Sequence, residues 1–150
     1  SKTTRGIVRA LDIASGELQW QVTFELEATS PPAVLPSSLD CGSIVVLGLG
    51  SSFQSLDSSE YTGRLVALDG KKGKLMWSVD NQAAKYQADW LFPAWSSCAG
   101  SGDGTIYVGW HAGVIAAYDG ETGDMMSSFD TGSPIFGSPA IGDGFLVVAT

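Results

Sequence analysis

Gly6-Ile-Val-Arg-Ala-Leu-Asp12-Ile-Ala-Ser-Gly16-Glu-Leu-Gln-Trp20 decides the fold, because the same stretch is written three times in this chain. Gly63-Arg-Leu-Val-Ala-Leu-Asp69-Gly-Lys-Lys-Gly73-Lys-Leu-Met-Trp77 and Gly113-Val-Ile-Ala-Ala-Tyr-Asp119-Gly-Glu-Thr-Gly123-Asp-Met-Met-Ser127 keep Gly, Ala, Asp and Gly at the same offsets. A second unit recurs between them: Asp40-Cys-Gly-Ser-Ile-Val-Val-Leu-Gly48, Asp103-Gly-Thr-Ile-Tyr-Val-Gly109 and Asp143-Gly-Phe-Leu-Val-Val-Ala149, each a turn and then an apolar run. The copies begin at positions 6, 63 and 113, so the period is 50 to 57 residues, the spacing of a repeat array. The runs are short, β-branched or aromatic, and bounded by Gly, Asp or Pro, which predicts strands. Ile44 to Leu47 and Phe145 to Val148 are apolar at every position, the pattern of a sheet covered on both faces.

The turn inside the repeated stretch has its own chemistry. Asp12, Asp69 and Asp119 are placed to accept hydrogen bonds from N–H groups two or three residues on, and Gly16, Gly73 and Gly123 supply a positive φ. As metal ligands or catalytic acids these carboxylates would need converging partners, and Asp119-Gly-Glu-Thr-Gly-Asp124 lacks the spacing of an EF-hand loop, so they read as turn locks. Trp20 and Trp77 follow the glycines by four positions; an indole recurring in register is a packing element between sheets, with an N–H able to tie to a neighbouring turn. Ser127 stands in that place in the third copy, which predicts a looser boundary there, with Met125 and Met126 filling part of the gap.

The chain of 150 residues supports one domain. Hydrophobic residues at 44% against 16% charged ones argue for a packed core, and 19 glycines against 6 prolines for many tight turns. Eight Lys and Arg against sixteen Asp and Glu give a net charge of -8, the wrong sign for gripping nucleic acid or an anionic membrane. The longest apolar stretch, Ile44 to Leu49, falls far short of the roughly 20 residues that cross a bilayer, so no membrane insertion is expected. Cys41 and Cys98 fit no metal-ligand spacing and read as two buried free thiols rather than a disulfide.

Ala10-Leu-Asp12 through Trp20 and Ala67-Leu-Asp69 through Trp77 resemble the pyrroloquinoline quinone (PQQ)-like repeat family of β-propellers, the quinoprotein alcohol dehydrogenase-like superfamily. Ser133-Pro-Ile-Phe-Gly-Ser-Pro-Ala-Ile-Gly-Asp-Gly-Phe-Leu-Val-Val is similar to the first two strands of that family's blades. The resemblance implies an all-β fold: a partial propeller of four-stranded antiparallel blades, about three blades' worth, in an open ring. The expected layout is a half blade at 6–24, blades at 31–79 and 93–130, and a half blade at 136–149. Such a chain leaves edges for its remaining blades, on the same polypeptide or a second copy, to complete.

In a four-stranded meander the Asp-to-Gly turns fall at one end of the sheets, while the long connections Gly50 to Thr62 and Asp80 to Phe92 fall at the other. Long loops on a rigid scaffold concentrate binding residues, so the candidate binding face is the one carrying Tyr61, Tyr86, Asp89, Trp90, Trp110 and His111. His111 is the only histidine, and no Gly-x-Ser-x-Gly elbow accompanies it, so no catalytic or metal residue is assigned. The resemblance places quinone and calcium in the central funnel of the dehydrogenases, held by Glu, Asn and Asp, often with adjacent cysteines. Here Asn81 is the sole asparagine and no two cysteines adjoin, so a cofactor is left unassigned and PQQ with calcium belongs only to a complete propeller. The expected function is a binding or scaffolding module for a protein or small-molecule ligand. The alternative is a fragment of a PQQ-dependent alcohol dehydrogenase whose catalytic residues lie elsewhere. The resemblance implies a periplasmic or extracellular site of action.

Overall fold

The computed structural model describes residues 6–28, 30–50, 63–81, 95–111 and 113–150. Every regular element among them is a strand, and the strands form four antiparallel sheets. The first sheet pairs β1 (Gly6–Leu11) with β2 (Leu18–Phe24). In the second, β3 (Glu27–Ala28) and β4 (Ala33–Pro36) both pair with β5 (Ser43–Gly50), which is followed by β6 (Gly63–Asp69) and β7 (Leu75–Asn81). The third runs in order through β8 (Trp95–Gly100), β9 (Thr105–Trp110), β10 (Val114–Asp119) and β11 (Met125–Asp130). The fourth pairs β12 (Ala140–Gly142) with β13 (Phe145–Val147). This is an unclosed set of propeller blades.

The period-2 alternation of the second sheet explains why its runs are apolar throughout. Val45, Leu47, Leu49, Val66 and Leu68 turn toward the first sheet and meet Val8, Trp20 and Phe24. Their neighbours Ile44, Val46, Leu65 and Ala67 turn the other way and pack with Ile106, Val108, Ala116 and Tyr118 of the third sheet. With both faces covered, neither set is free to be polar. Each such side chain taken from water contributes about 1.5–3 kcal/mol, so the two inter-sheet layers carry the hydrophobic stabilisation.

The repeated hairpins are built alike. Asp12 Oδ1 accepts from the N–H of Ala14 and Ser15, Asp69 Oδ1 from Lys71 and Lys72, and Asp119 Oδ1 from Glu121 and Thr122, at 2.7–3.0 Å. Each pair of strands then carries a bulge, between Ala10 and Leu11, Ala67 and Leu68, and Ala117 and Tyr118. The small residue before the bulge stands opposite Trp20, Trp77 and Ser127 respectively.

The indoles join one sheet to the next. Trp20 Nε1 donates to the Gly70 carbonyl at 2.8 Å, and Trp77 Nε1 to the Gly120 carbonyl at 2.9 Å. The rings lie against Gly73 and Gly123, where a Cβ would come within 2.6 and 2.7 Å of ring atoms. Both glycines also hold φ near +70° to +80°, so backbone and packing demand the same residue. Ser127 is exposed and ends this series. Met125 and Met126, expected to fill the place, are instead exposed, because the fourth sheet has only two described strands and none stands opposite β11.

Candidate functional site

Antiparallel order puts the connections of the sheets at two ends. At the first end lie the turns 37–42, 70–74, 101–104 and 120–124, and hydrogen bonds fasten them together: Gly70 N–H to Ser43 O at 2.9 Å and Gly120 N–H to Gly104 O at 3.0 Å. The other end is where β5 stops at Gly50 and β6 begins at Gly63, where β7 stops at Asn81 and β8 begins at Trp95, and where β9 turns into β10.

Of the six residues expected on that second end, Tyr61, Tyr86, Asp89 and Trp90 lie outside the described residues. Trp110 is 3% exposed and belongs to the core shared by the second and third sheets. His111, half-buried, stacks on Phe136 with ring centroids 4.8 Å apart and planes tilted by 50°. Phe136 reaches it because the link from β11 to β12 folds back under the third sheet. Thr131 donates through N–H and Oγ1 to the Gly113 carbonyl, and Ile135 is fully buried against Gly109 and Ser96. A Cβ on Gly113 would meet the Ser133 carbonyl at 2.8 Å, so the close passage of this link depends on glycine. The end therefore presents an imidazole and a phenyl ring together on a pinned backbone, a surface fitted to packing against another molecule.

Two further features escaped the sequence reading. Buried Ser30 and Ser96 sit where the innermost strands break, and their hydroxyls accept from the N–H of Gly48 at 2.7 Å and Gly109 at 3.0 Å. A side chain replaces a missing ladder bond there, and the Ser-Pro and Ser-Ser dipeptides carry only a faint signal of it. At the first end, Glu121 Oε1 accepts from Ser37 Oγ, Ser38 N–H and Ser38 Oγ at 2.7–3.0 Å, clasping the third sheet to the turn of the second. These bonds hold the Glu121 carboxyl below its ordinary range, and bonds from the Thr105 backbone and side chain do the same for Asp103. Lys71 Nζ donates to the Asp40 carbonyl from the opposite side of the same turn.

Cys41 and Cys98 are both free, the first buried and the second half-buried by exposure, yet enclosed enough that desolvation pushes the Cys98 thiol up to about 12. Among the described residues no group of three or more His, Cys, Asp or Glu is arranged to hold a metal ion, so they do not fit a calcium-bound quinone. No helix among them is long and apolar enough to cross a membrane.

With this geometry in hand, the relatives fall into place. The sequence profile of the family described as outer membrane protein assembly factor BamB matches residues 4–88 and again 61–150. Quinoprotein alcohol dehydrogenase PedH of Pseudomonas putida is 31% identical over 93 residues, which are 62% of this chain and 14% of that enzyme. Among solved structures, BamB from Moraxella catarrhalis superposes with a TM-score of 0.69 at 20% identity, over 98% of this chain and 41% of its own. Quinohemoprotein alcohol dehydrogenase from Comamonas testosteroni gives 0.60 at 17%, over 90% of this chain and 26% of its own. The chain thus spans less than half the length of each of these relatives.

Proposed function

Since the chain belongs to the PQQ-like repeat β-propeller family, we propose that it serves as a binding or scaffolding segment of a propeller, recognising a protein partner through the end that carries His111. The observation that carries this reading is the convergence of connections there. Strand ends flanking 51–62 and 82–94 open on the same end as the His111–Phe136 pair, and latched sheets hold them in fixed relation. Tyr61, Tyr86, Asp89 and Trp90 join the proposed surface by their place in the sequence. Rigid sheets bearing long aromatic connections supply contact area at low entropic cost. The remaining blades, from the same polypeptide or a second copy, complete the ring, and the kinship with BamB and quinoprotein dehydrogenases favours a periplasmic or extracellular setting.

A second reading, favoured by the PedH likeness, is a piece of a PQQ-dependent alcohol dehydrogenase. When bound, the quinone would accept the electrons of the alcohol, and this segment would serve as wall and support. One experiment separates the two. The full-length protein is incubated with PQQ and calcium, and quinone binding and alcohol-dependent dye reduction are followed. Absence of quinone binding at high micromolar concentration supports the module reading; stoichiometric binding with dye reduction replaces it with the enzyme. Crosslinking of the full-length protein in its native envelope fraction, compared with a His111→Ala, Phe136→Ala variant, then tests the face itself: undiminished crosslinking would remove this end as the contact surface.

A further inference from the structure

We propose that the cleft between the second and third sheets, at the end opposite the His111 surface, is a docking pocket for the side chain of a lysine or arginine borne by a partner protein. This goes beyond the reading above and concerns a different face. The cleft has a volume of about 440 Å³. Its floor is apolar and fixed: Leu35 is 2% and Ile44 1% exposed, with Pro36 beside them. Its rim carries Asp103, Asp119 and Glu121, and among the described residues lining it there is no Lys or Arg. Lysine and arginine share this division, an apolar stem several methylenes long and a cationic head that stays near water. Stem on floor and head on rim is the arrangement that satisfies both parts.

Size and charge exclude the other occupants. The volume lies at the low end of the roughly 300–1,000 Å³ of small-ligand sites, enough for one long side chain and too little for a folded element. Three carboxylates repel phosphate and carboxylate ligands. They are also too far apart to form a metal site, since no group of three acidic, His or Cys residues among the described residues is close enough for an ion. A guanidinium or ammonium on a stem bridges wider spacings through several donors.

The carboxylates are set before any partner arrives. The three donors on Glu121 all reach Oε1, and both N–H groups on Asp119 reach Oδ1, so the second oxygen of each is oriented by bonds it does not itself use. Preorganised acceptors cost less entropy on binding. The mouth is open because glycines form it: a Cβ on Gly102 or Gly104 would meet nothing within 4 Å.

Agmatine, a guanidinium on a four-carbon stem, is the probe, titrated into the isotope-labelled full-length protein at low salt while amide chemical shifts are recorded. Saturable shifts are expected at Ser38, Gly102 and Glu121, weakened about tenfold in Asp103→Asn, in keeping with one lost charged hydrogen bond. Gly102→Leu, whose side chain would stand in the open mouth, should abolish them without changing the melting midpoint. Calcium chloride at equal ionic strength should leave these amides where they are. Scattered or non-saturating shifts through the high-millimolar range would overturn the proposal, as would binding that survives Gly102→Leu or a match by calcium.

Discussion

The junction of the second and third sheets and the junction beyond the third are made from the same repeat and end differently. At the first, Trp77 lies on Gly123, donates to the Gly120 carbonyl, and is backed by a shared apolar layer; the junction of the first and second sheets repeats this with Trp20, Gly73 and Gly70. At the other, Ser127 occupies the equivalent strand position, Met125 and Phe129 beside it are exposed, and the fourth sheet shows Phe145 70% exposed. One side chain per repeat therefore separates a sealed boundary from a loose one, because an indole is both the plug and the hydrogen-bond donor.

The strongest way to break this contrast is to empty the plug. Trp77→Ala should cost about 3 kcal/mol through the cavity and lost contacts, while Ser127→Ala should stay within about 0.5 kcal/mol, both read from urea unfolding. Equal effects would mean that the indole is not what distinguishes the junctions. Next, Gly123→Ala forces a left-handed backbone and a clash with the Trp77 ring and should cost about 2–4 kcal/mol. Gly16→Ala, also at positive φ but with nothing within 4 Å, should cost only the backbone share, about 1–2 kcal/mol. Trp77→Phe keeps most of the packing and removes one donor, for about 1 kcal/mol.

The smallest effect concerns acid. The Glu121 carboxyl is held below its ordinary value by Ser38 and Ser37, so its contribution is present above the unfolded pKa and is lost as pH falls through the lower folded value. Melting curves between neutral pH and pH about 3 should thus fall less steeply in Glu121→Gln than in the parent. Identical acid limbs would show that the clasp does not bear on stability.

What could be read in advance divides along chain distance. The hairpins were legible because Asp69 and Gly73 act on their own turn, and the two-faced burial of Ile44 to Leu47 was legible because alternation fails there. The clasp of Glu121 on Ser37 and Ser38 joins residues more than 80 positions apart and has no counterpart in the other copies, where Ala14 and Lys71 hold its place. Burial of Trp110 was likewise hidden, since it depends on the neighbouring sheet closing over the end of β9. The candidate face was therefore readable as an end of the sheets, while its individual contacts were set by tertiary packing.

The indole contacts run one way along the polypeptide: Trp20 reaches forward to the turn at Gly70, and Trp77 forward to the turn at Gly120. During synthesis each plug leaves the ribosome before the socket that receives it. Every newly made hairpin thus meets an anchored predecessor, which directs assembly from the amino end and shortens the time an uncovered sheet spends exposed to other chains.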